Sequence, residues 1–270
     1  MSWQHKKRSH QRLQPFEILF EAIFFLVVVF VGWNLWVVVK GGACYLKQAL
    51  LSPELRFSIG LSLWTSTIST LICMILAIPC AYVIVMRESK WTKIGEAVLG
   101  LPLSLPYLVL GLCLLTAFST PFGKLLKELG LRVIFHPRGI ILAHILVNLP
   151  FVIRLITEAF RRLDPELALT AQTLGASRFQ AMWYITLPLC KADCITALIL
   201  AWSRGLGEFG ATLMLVGVTR MKTETLPGNI YLNISTGDNN AALAAALILL
   251  LLSLFAQFIG WLVTRRRDYL

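Results

Sequence analysis

Residues 57–86 read FSIGLSLWTSTISTLICMILAIPCAYVIVM, a run of 30 positions without one charged side chain. A helix that crosses a bilayer needs about 20 predominantly apolar residues, and this run is long enough for one even if it is tilted. Pro79 near its end predicts a kink, because proline has no backbone N–H to donate and its ring clashes with the preceding turn. The chain is therefore expected to enter a membrane as an α-helix.

Five further apolar stretches surround this one, and each qualifies or nearly qualifies as a span. They cover residues 18–39, 97–120, 139–157, 192–218 and 241–264. Pro102 and Pro106 lie in the third span and predict that it is bent or partly unwound. About six spans predict an all-α integral membrane protein with both chain ends on the same side.

The composition agrees with a membrane protein and argues against a soluble domain. Hydrophobic residues make up 57% of the 270 positions and charged residues only 14%, whereas soluble domains carry roughly 25% charged residues. The net charge of +11 does not predict nucleic-acid binding. The basic residues lie at the ends of apolar spans, as lipid contacts would, and form no single patch with interleaved aromatics.

The distribution of basic residues predicts the orientation of the chain. With the N-terminus in the cytoplasm, 14 lysines and arginines fall in cytoplasmic segments and nine in external ones. Because cytoplasmic segments carry the excess of positive charge, the tail 1–17 and the end 265–270 are expected in the cytoplasm. The basic segment 124–138 runs against this trend.

Several classes of function lack their sequence signatures. The six cysteines form no paired C-x-x-C, and His136 and His144 are not spaced four apart, so no metal site is predicted. The phosphate-binding loop G-x-x-x-x-G-K-[ST] is absent, so the chain is not itself an ATPase. We find no internal repeat, so an inverted-repeat secondary transporter gains no support.

The segment between spans four and five, residues 164–188, reads DPELALTAQTLGASRFQAMWYITLP. Asp164, which is followed by proline, predicts the start of a helix. Gly175 suits the left-handed residue that ends a helix. Ser177 with Gln180 three positions later predicts a capping box that starts a second helix. The segment is therefore expected to form two short helices that meet at a glycine.

This segment resembles the EAA motif of the permeases of binding-protein-dependent ABC importers. That pattern is Glu-Ala-Ala, three residues, Gly, nine residues, Ile, one residue, then Leu-Pro. The matching positions here are Ala171, Gly175, Ile185, Leu187 and Pro188. The resemblance implies the type I ABC importer permease fold, in which loop 161–188 is the cytoplasmic coupling helix that docks on the ATPase subunit.

The motif departs from the family at its first two positions, where Leu169 and Thr170 replace the glutamate and the first alanine. Glu166 lies one turn earlier on nearly the same face and is the candidate substitute. Ala176 and Ser177 at the bend complete the candidate coupling residues. An amphipathic connector without a partner is the alternative interpretation.

Span five carries a second resemblance, in residues 201–212, which read AWSRGLGEFGAT. The run is similar to permeases for molybdate, tungstate and sulfate, and residues 223–227 (TETLP) resemble the segment after this span in the molybdate and tungstate branch. The resemblance implies an oxyanion substrate, with molybdate or tungstate foremost. Sulfate, thiamine, iron(III) and a phosphonate stay open as alternatives.

The charges of span five have two physical interpretations. Arg204 and Glu208 are four residues apart and are predicted to pair on one helix face, which lowers the cost of charge in lipid. The glycines at 205, 207 and 210 are predicted to let a neighbouring helix approach closely. The segment is either a tight structural contact or a gate on the translocation path. The pathway or gate candidates are Arg204, Gly207, Glu208, Gly210 and Asn148. Asn148 lies two residues before Pro150, and together they mark either an unwound piece or a kink of span four.

The resemblance also implies the assembly. The core 55–264 would be one of two permease subunits, expected as a homodimer in a prokaryotic cell membrane, with an ABC ATPase subunit and an extracytoplasmic solute-binding protein as partners. The chain would hold no cofactor, since ATP and Mg bind the ATPase, and would itself catalyse no reaction. An ion-coupled secondary transporter is the remote alternative, and it would need several buried ionisable groups at mid-membrane.

Overall fold

The computed structural model describes residues 15–87 and 89–265, and within them the regular structure is helical, without a strand. Most of the predicted cytoplasmic tail and end therefore lies outside the described residues. The described helices are α1 (Pro15–Ala49), α2 (Pro53–Met86), α3 (Lys90–Gly100), α4 (Tyr107–Ser119), α5 (Pro121–Glu128), α6 (Pro137–Arg161), α7 (Pro165–Thr173), α8 (Arg178–Ala181), α9 (Leu187–Leu189), α10 (Lys191–Leu206), α11 (Gly210–Val216), α12 (Leu226–Ser235) and α13 (Asn239–Arg265).

Four of the described helices, α1, α2, α6 and α13, are long and apolar enough to cross a membrane. Two further pairs of helices are long and apolar enough only when each pair is taken together, and each is either a broken span or a re-entrant segment. The segments Lys90–Ser104 and Tyr107–Ser119 meet at 113°, and Arg178–Leu189 and Lys191–Leu206 meet at 71°. The described part of the chain thus has up to six spans if each bent pair counts as one, in agreement with the sequence.

The bend of span three is where the prolines predict it. Pro102 lies in a 3-10 turn, Leu101–Ser104, and Pro106 directly precedes the first residue of α4. Both prolines lack the N–H that a continuing helix would need. The prediction of a bent third span is confirmed.

The first and fifth spans depart from their predicted bounds in ways that have a physical reason. The first helix runs to Ala49, ten residues beyond the predicted 18–39, because Gly41 and Gly42 let α1 continue against α13. A Cβ on Gly42 would lie 2.5 Å from the carbonyl oxygen of Leu243. Span five was predicted as one stretch, 192–218, but its helix stops at Leu206 and restarts at Gly210.

Small polar side chains on α2 fill the centre of the helix bundle. Helix α2 packs mainly on α6 and also contacts α10 and α12. Its buried polar residues are Ser58, Ser62, Thr65, Ser66, Ser69 and Thr70. Small residues let helix backbones approach closely in a membrane, and the Ser62 hydroxyl accepts the Leu226 N–H of α12 at 2.7 Å.

The two ends of the bundle differ in what they carry. At one end, the end of α2, the start of α3 and the end of α6 surround the short helices α7–α9, with a cleft of about 260 Å³ between them. At the opposite end, Tyr45, Glu54, Asn229 and Asp238 line a common cavity of about 410 Å³. Because α1 ends and α13 begins at this cavity, the described chain starts and finishes toward the α7–α9 end.

Candidate functional site

Residues 164–189, called the knob below, form the helix–glycine–helix unit predicted from the sequence. Asp164 caps α7, and its carboxylate accepts the Glu166 N–H at 2.9 Å. Gly175 has φ +97, a conformation that L side chains rarely adopt. The Ala176 N–H then donates to the Ala171 carbonyl at 3.0 Å and closes the end of α7. These local predictions are confirmed.

The second helix of the knob begins with the predicted capping box. The Ser177 hydroxyl accepts the Gln180 N–H at 3.2 Å, and the Gln180 side chain accepts the Ser177 N–H at 2.8 Å. Helix α8 continues through a π-helical turn, Met182–Thr186, into α9. The motif residues of the sequence therefore lie in one continuous helix–glycine–helix unit.

The outer side of the knob is apolar and exposed. Leu174 is 85% exposed and Tyr184 78%, and the rings of Phe179 and Trp183 pack edge to face with centroids 6.0 Å apart. We call these four residues the apolar tip. Phe179, Trp183 and Tyr184 line a common surface pocket, and Leu174 is exposed on the same knob. Exposed large apolar side chains of this kind mark interaction surfaces. The tip is therefore the surface of the knob best suited to contact another protein.

The inner side of the knob attaches to the bundle. Ile185 is half-buried and lines the cleft beneath the knob, and Leu187 packs on the core at the ends of α2 and α6. Pro188 and Glu166 are exposed. Two ion pairs fix the adjacent helix ends, Arg161 to Glu96 and Arg162 to Asp193, both at 2.9 Å. The knob therefore packs on α2 and α6 through Leu187, and the end of α6 is in turn paired with α3 and α10.

The two interrupted spans touch each other at their interruptions. Helix α10 ends at Leu206, and Gly207 is exposed. Helix α11 restarts at Gly210, where an added Cβ would lie 3.0 Å from the Tyr107 Cβ and 3.3 Å from the Leu108 nitrogen. We call this contact between 106–108 and 204–210 the break junction.

Arg204 lies at the break junction but does not pair with Glu208. Its guanidinium donates a hydrogen bond to the Tyr107 hydroxyl. Its central carbon lies 5.4 Å from the Tyr107 ring centroid and 5.0 Å from that of Phe151, both within cation–π range. The predicted ion pair is wrong, because it requires an unbroken helix and α10 ends between the two residues.

Glu208 turns inward and caps α11. It is only 2% exposed. Its carboxylate accepts the Ala211 N–H at 2.8 Å, the Thr212 N–H at 3.2 Å and the Thr212 hydroxyl. The nearest His144 ring nitrogen, Nε2, is 3.9 Å away. The side chain thus holds the start of α11 in place from inside the bundle.

Asn148 is a buried contact between helices. Its amide donates to the Ala201 carbonyl of α10 at 3.5 Å, and a Cβ on Gly205 would lie 3.4 Å from the same amide nitrogen. Helix α6 is continuous through Pro150, so of the two interpretations offered for this position the unwound piece is wrong. Close approach is confirmed at Gly205 and Gly210 and wrong at Gly207, where an added Cβ would meet nothing nearer than 3.9 Å.

The family model described as "Binding-protein-dependent transport system inner membrane component" matches residues 74–269, nearly three quarters of the chain. The chain belongs to this family. The matched range contains the whole knob and the whole break junction. The protein is therefore a permease subunit and a multi-pass membrane protein.

Similar proteins include permeases for oxyanions. The chain is 34% identical over 206 residues to the molybdenum transport system permease protein ModB of Mycobacterium bovis, covering 76% of this chain and 78% of that protein. It is 32% identical over 222 residues to the probable transport system permease protein NifC of Clostridium pasteurianum, covering 81% of this chain and 77% of that protein. It is 30% identical over 215 residues to the probable sulfate transport system permease protein cysT of Marchantia polymorpha (79% and 75% covered).

Solved structures show the same fold. A bacterial alginate ABC transporter in complex with an alginate pentasaccharide-bound periplasmic protein has a chain that matches with a TM-score of 0.72 and 21% identity, covering 91% of this permease and 93% of that chain. An amino acid ABC transporter with histidines matches with a TM-score of 0.61 and 17% identity, covering 82% and 98%. The permease has the type I importer fold predicted from the sequence.

Sequence reasoning missed the residues that contact Arg204 and Glu208. Tyr107 and Phe151 carry no charge and read as ordinary apolar residues of their spans, although Tyr107 follows directly after the helix-breaking Pro106. The sequence offers His144 only as a possible metal ligand, and its position beside Glu208 leaves no local pattern. Thr212 follows Glu208 by four residues, whereas the capping box places the threonine before the acid, so the sequence carries no signal for this contact.

We expect Glu208→Ala to destabilise the permease by about 1–3 kcal/mol, because the buried Ala211 and Thr212 N–H groups would lose their acceptor. Thermal unfolding in detergent measures the effect. Glu128→Ala, which removes an exposed carboxylate at the end of α5, is expected to change stability by less than about 0.5 kcal/mol. Equal melting temperatures for the two variants would contradict the capping role.

Proposed function

We propose that this permease is the membrane-spanning part of an ATP-driven importer for a tetrahedral oxyanion, with molybdate or tungstate as the first candidate. The observation that carries the proposal is the 34% identity to the molybdenum permease of Mycobacterium bovis across three quarters of both chains. Sulfate is the second candidate, favoured by the 30% identity to the sulfate permease protein of Marchantia polymorpha.

The knob is the proposed docking site of the ATPase subunit. The support is its EAA-like spacing, its exposed apolar tip and the packing of Leu187 on α2 and α6. ATP binding would draw together two ATPase subunits and the knobs that they hold. Each knob moves as a unit, since its bend and both caps are fixed by hydrogen bonds.

The orientation follows from the knob and the charges. The knob and the excess of basic residues fall on the cytoplasmic side, which also receives both chain ends. The opposite end, with its polar cavity beside α12, is where a solute-binding protein would deliver the anion. Two copies of the chain would form the path, and each would alternate between inward-open and outward-open arrangements.

The permease itself performs no covalent chemistry in this proposal. Its task is to offer a path in which the anion binds weakly enough to leave. Selection of the substrate then rests mainly with the binding protein. If the binding protein selects the substrate, permeases similar to this chain can serve different oxyanions, as the names of its molybdenum and sulfate relatives indicate.

Uptake into lipid vesicles tests the proposal. The permease is reconstituted with its ATPase subunit and binding protein, and entry of labelled molybdate is followed with ATP on the knob side. We expect uptake that requires ATP and the binding protein and that falls when unlabelled tungstate is added. Competition by sulfate alone would replace the substrate by the second candidate. Uptake of none of these anions would refute an oxyanion importer.

A further inference from the structure

Arg204 is a cation within a membrane span, and the carboxylate of Glu208, its expected partner, points away from it. The ion pairs of the described residues do not include Arg204. The carboxylate of Glu208 is buried and occupied by α11, whereas Arg204 is only half-buried. A charge within a membrane is costly and is retained where it pairs or serves a path. The positive charge of Arg204 is therefore available to a group outside the described fold.

Aromatic contacts position the Arg204 guanidinium, and several of its N–H donors have no hydrogen-bond partner among the described residues. The rings of Tyr107 and Phe151 flank it, and one terminal nitrogen donates to the Tyr107 hydroxyl. Its Nε is buried without a partner. A guanidinium has five N–H donors in a planar fork that matches oxyanion geometry. The arginine is thus ordered by aromatic contacts that use little of its hydrogen-bonding capacity.

The helix ends around Arg204 add to the positive potential at this place. Tyr107 is the first residue of α4, and no side chain caps the N–H groups of that first turn. A helix N-terminus carries a partial positive charge and favours anions. Gly210 brings α11 within contact of the same turn. A cation and an uncapped helix start therefore lie side by side at the break junction.

The surface of the break junction is unsuited to lipid. By the α-helical rise, Arg204 lies about 20 Å along α10 from Lys191, well inside a hydrocarbon core about 30 Å thick. Gly207 just beyond it is exposed and outside any helix. Non-helical backbone at this depth is tolerated only where it is buried in protein or lines a water-filled cavity. The junction therefore faces a water-filled path or a second copy of the chain beside that path.

We propose that Arg204 is the residue of this permease that contacts the transported oxyanion at the break junction, with Tyr107 and Phe151 as positioning residues. This inference rests on the proposed function and adds to it the chemistry of the path. One arginine per chain gives an attraction that is specific for anions and still weak enough for release. The anion supplies the counter-charge that Glu208 does not.

The experiment compares Arg204→Gln, Arg204→Lys and Lys40→Gln in vesicles that contain the ATPase subunit and the binding protein. Lys40→Gln is the matched control, because it removes one positive charge from the exposed helix α1. We measure the rate of uptake against molybdate concentration, together with ATP hydrolysis stimulated by the loaded binding protein. Yield and thermal unfolding of each variant report on folding.

We expect Arg204→Gln to lower uptake by about tenfold, the effect of losing one hydrogen-bonded charge, while stimulated ATP hydrolysis persists. Arg204→Lys is expected to keep a measurable part of the uptake because it keeps the charge. Lys40→Gln is expected to transport like the wild type. If Arg204→Gln prevents assembly, Arg204→Lys decides, since its uptake curve should shift to higher molybdate concentration while ATP hydrolysis stays intact.

Wild-type uptake in Arg204→Gln would overturn the role of Arg204 and leave the oxyanion importer standing. Where Arg204→Gln does not assemble, an uptake curve for Arg204→Lys that matches the wild-type curve would also overturn the role of Arg204. Equal loss of uptake and of ATP hydrolysis in both arginine variants would assign Arg204 to structure and not to the anion. A wild-type complex that carries no oxyanion would refute the proposed function itself, which separates the two failures.

Discussion

Leu174→Glu is expected to abolish ATP-driven uptake while the permease folds normally. Leu174 is 85% exposed at the apolar tip, so its side chain contributes little to the fold. Docking would bury it, and a buried carboxylate without a partner costs several kcal/mol. The few residues that dominate an interface each cost about 2 kcal/mol or more when they are truncated. Co-purification with the ATPase subunit and ATP-driven uptake measure the loss.

The chain offers a matched control for this change. Helix α5 ends as α7 does, with a leucine followed by a left-handed glycine: Leu129 is 71% exposed, and Gly130 has φ +88. Because α5 lies at the opposite end of the bundle, Leu129→Glu should leave the ATPase bound. The docking role of the tip is contradicted if the two glutamate variants retain the ATPase equally well.

Gly111→Ala is expected to destabilise the permease, and Gly60→Ala to stabilise it slightly. An added Cβ on Gly111 would lie 2.6 Å from the Ala211 carbonyl oxygen and 2.8 Å from the Met214 Cβ, so α4 and α11 would have to separate. Overpacking of this kind typically costs about 1–3 kcal/mol. Thermal unfolding and the yield of folded protein measure the cost.

Gly60 is the control because it lies in the helix α2, is exposed, and has no neighbour within 4 Å of an added Cβ. Alanine there should stabilise by up to about 1 kcal/mol, since it restricts the unfolded chain more than glycine does. Opposite signs for two identical substitutions are the expected result. Destabilisation of similar size at both positions would mean that the contact between α4 and α11 is not as close as described.

The sequence predicted those parts of the structure that depend on the solvent or on a few neighbouring residues. The spans follow from hydropathy, because a bilayer admits only segments that satisfy their backbone internally. The knob follows from Asp164, Gly175, Ser177 and Gln180, because each cap needs partners only two to five residues away. The role of the knob as coupling helix stays a prediction.

The sequence failed where contacts between distant residues decide the conformation. The pairing of Arg204 with Glu208 assumed a continuous helix, but α10 ends at Leu206 and Arg204 instead contacts Tyr107, 97 residues earlier in the chain. Likewise, the length of α1 depends on Gly42 meeting Leu243 of α13. Neither contact leaves a local pattern, since each partner alone reads as an ordinary apolar or small residue.

The central claim is that this permease links an ATPase at its knob to the passage of an oxyanion. ATP hydrolysis by the complex reconstituted in lipid vesicles tests it most directly, with the binding protein supplied empty or loaded with molybdate, tungstate or sulfate. We expect molybdate- or tungstate-loaded binding protein to raise the hydrolysis rate in the wild type and not in Leu174→Glu. The claim would be contradicted if the wild-type chain associates with no ATPase subunit. It would also be contradicted if the rate of ATP hydrolysis is the same with empty binding protein as with binding protein loaded with any of the three oxyanions.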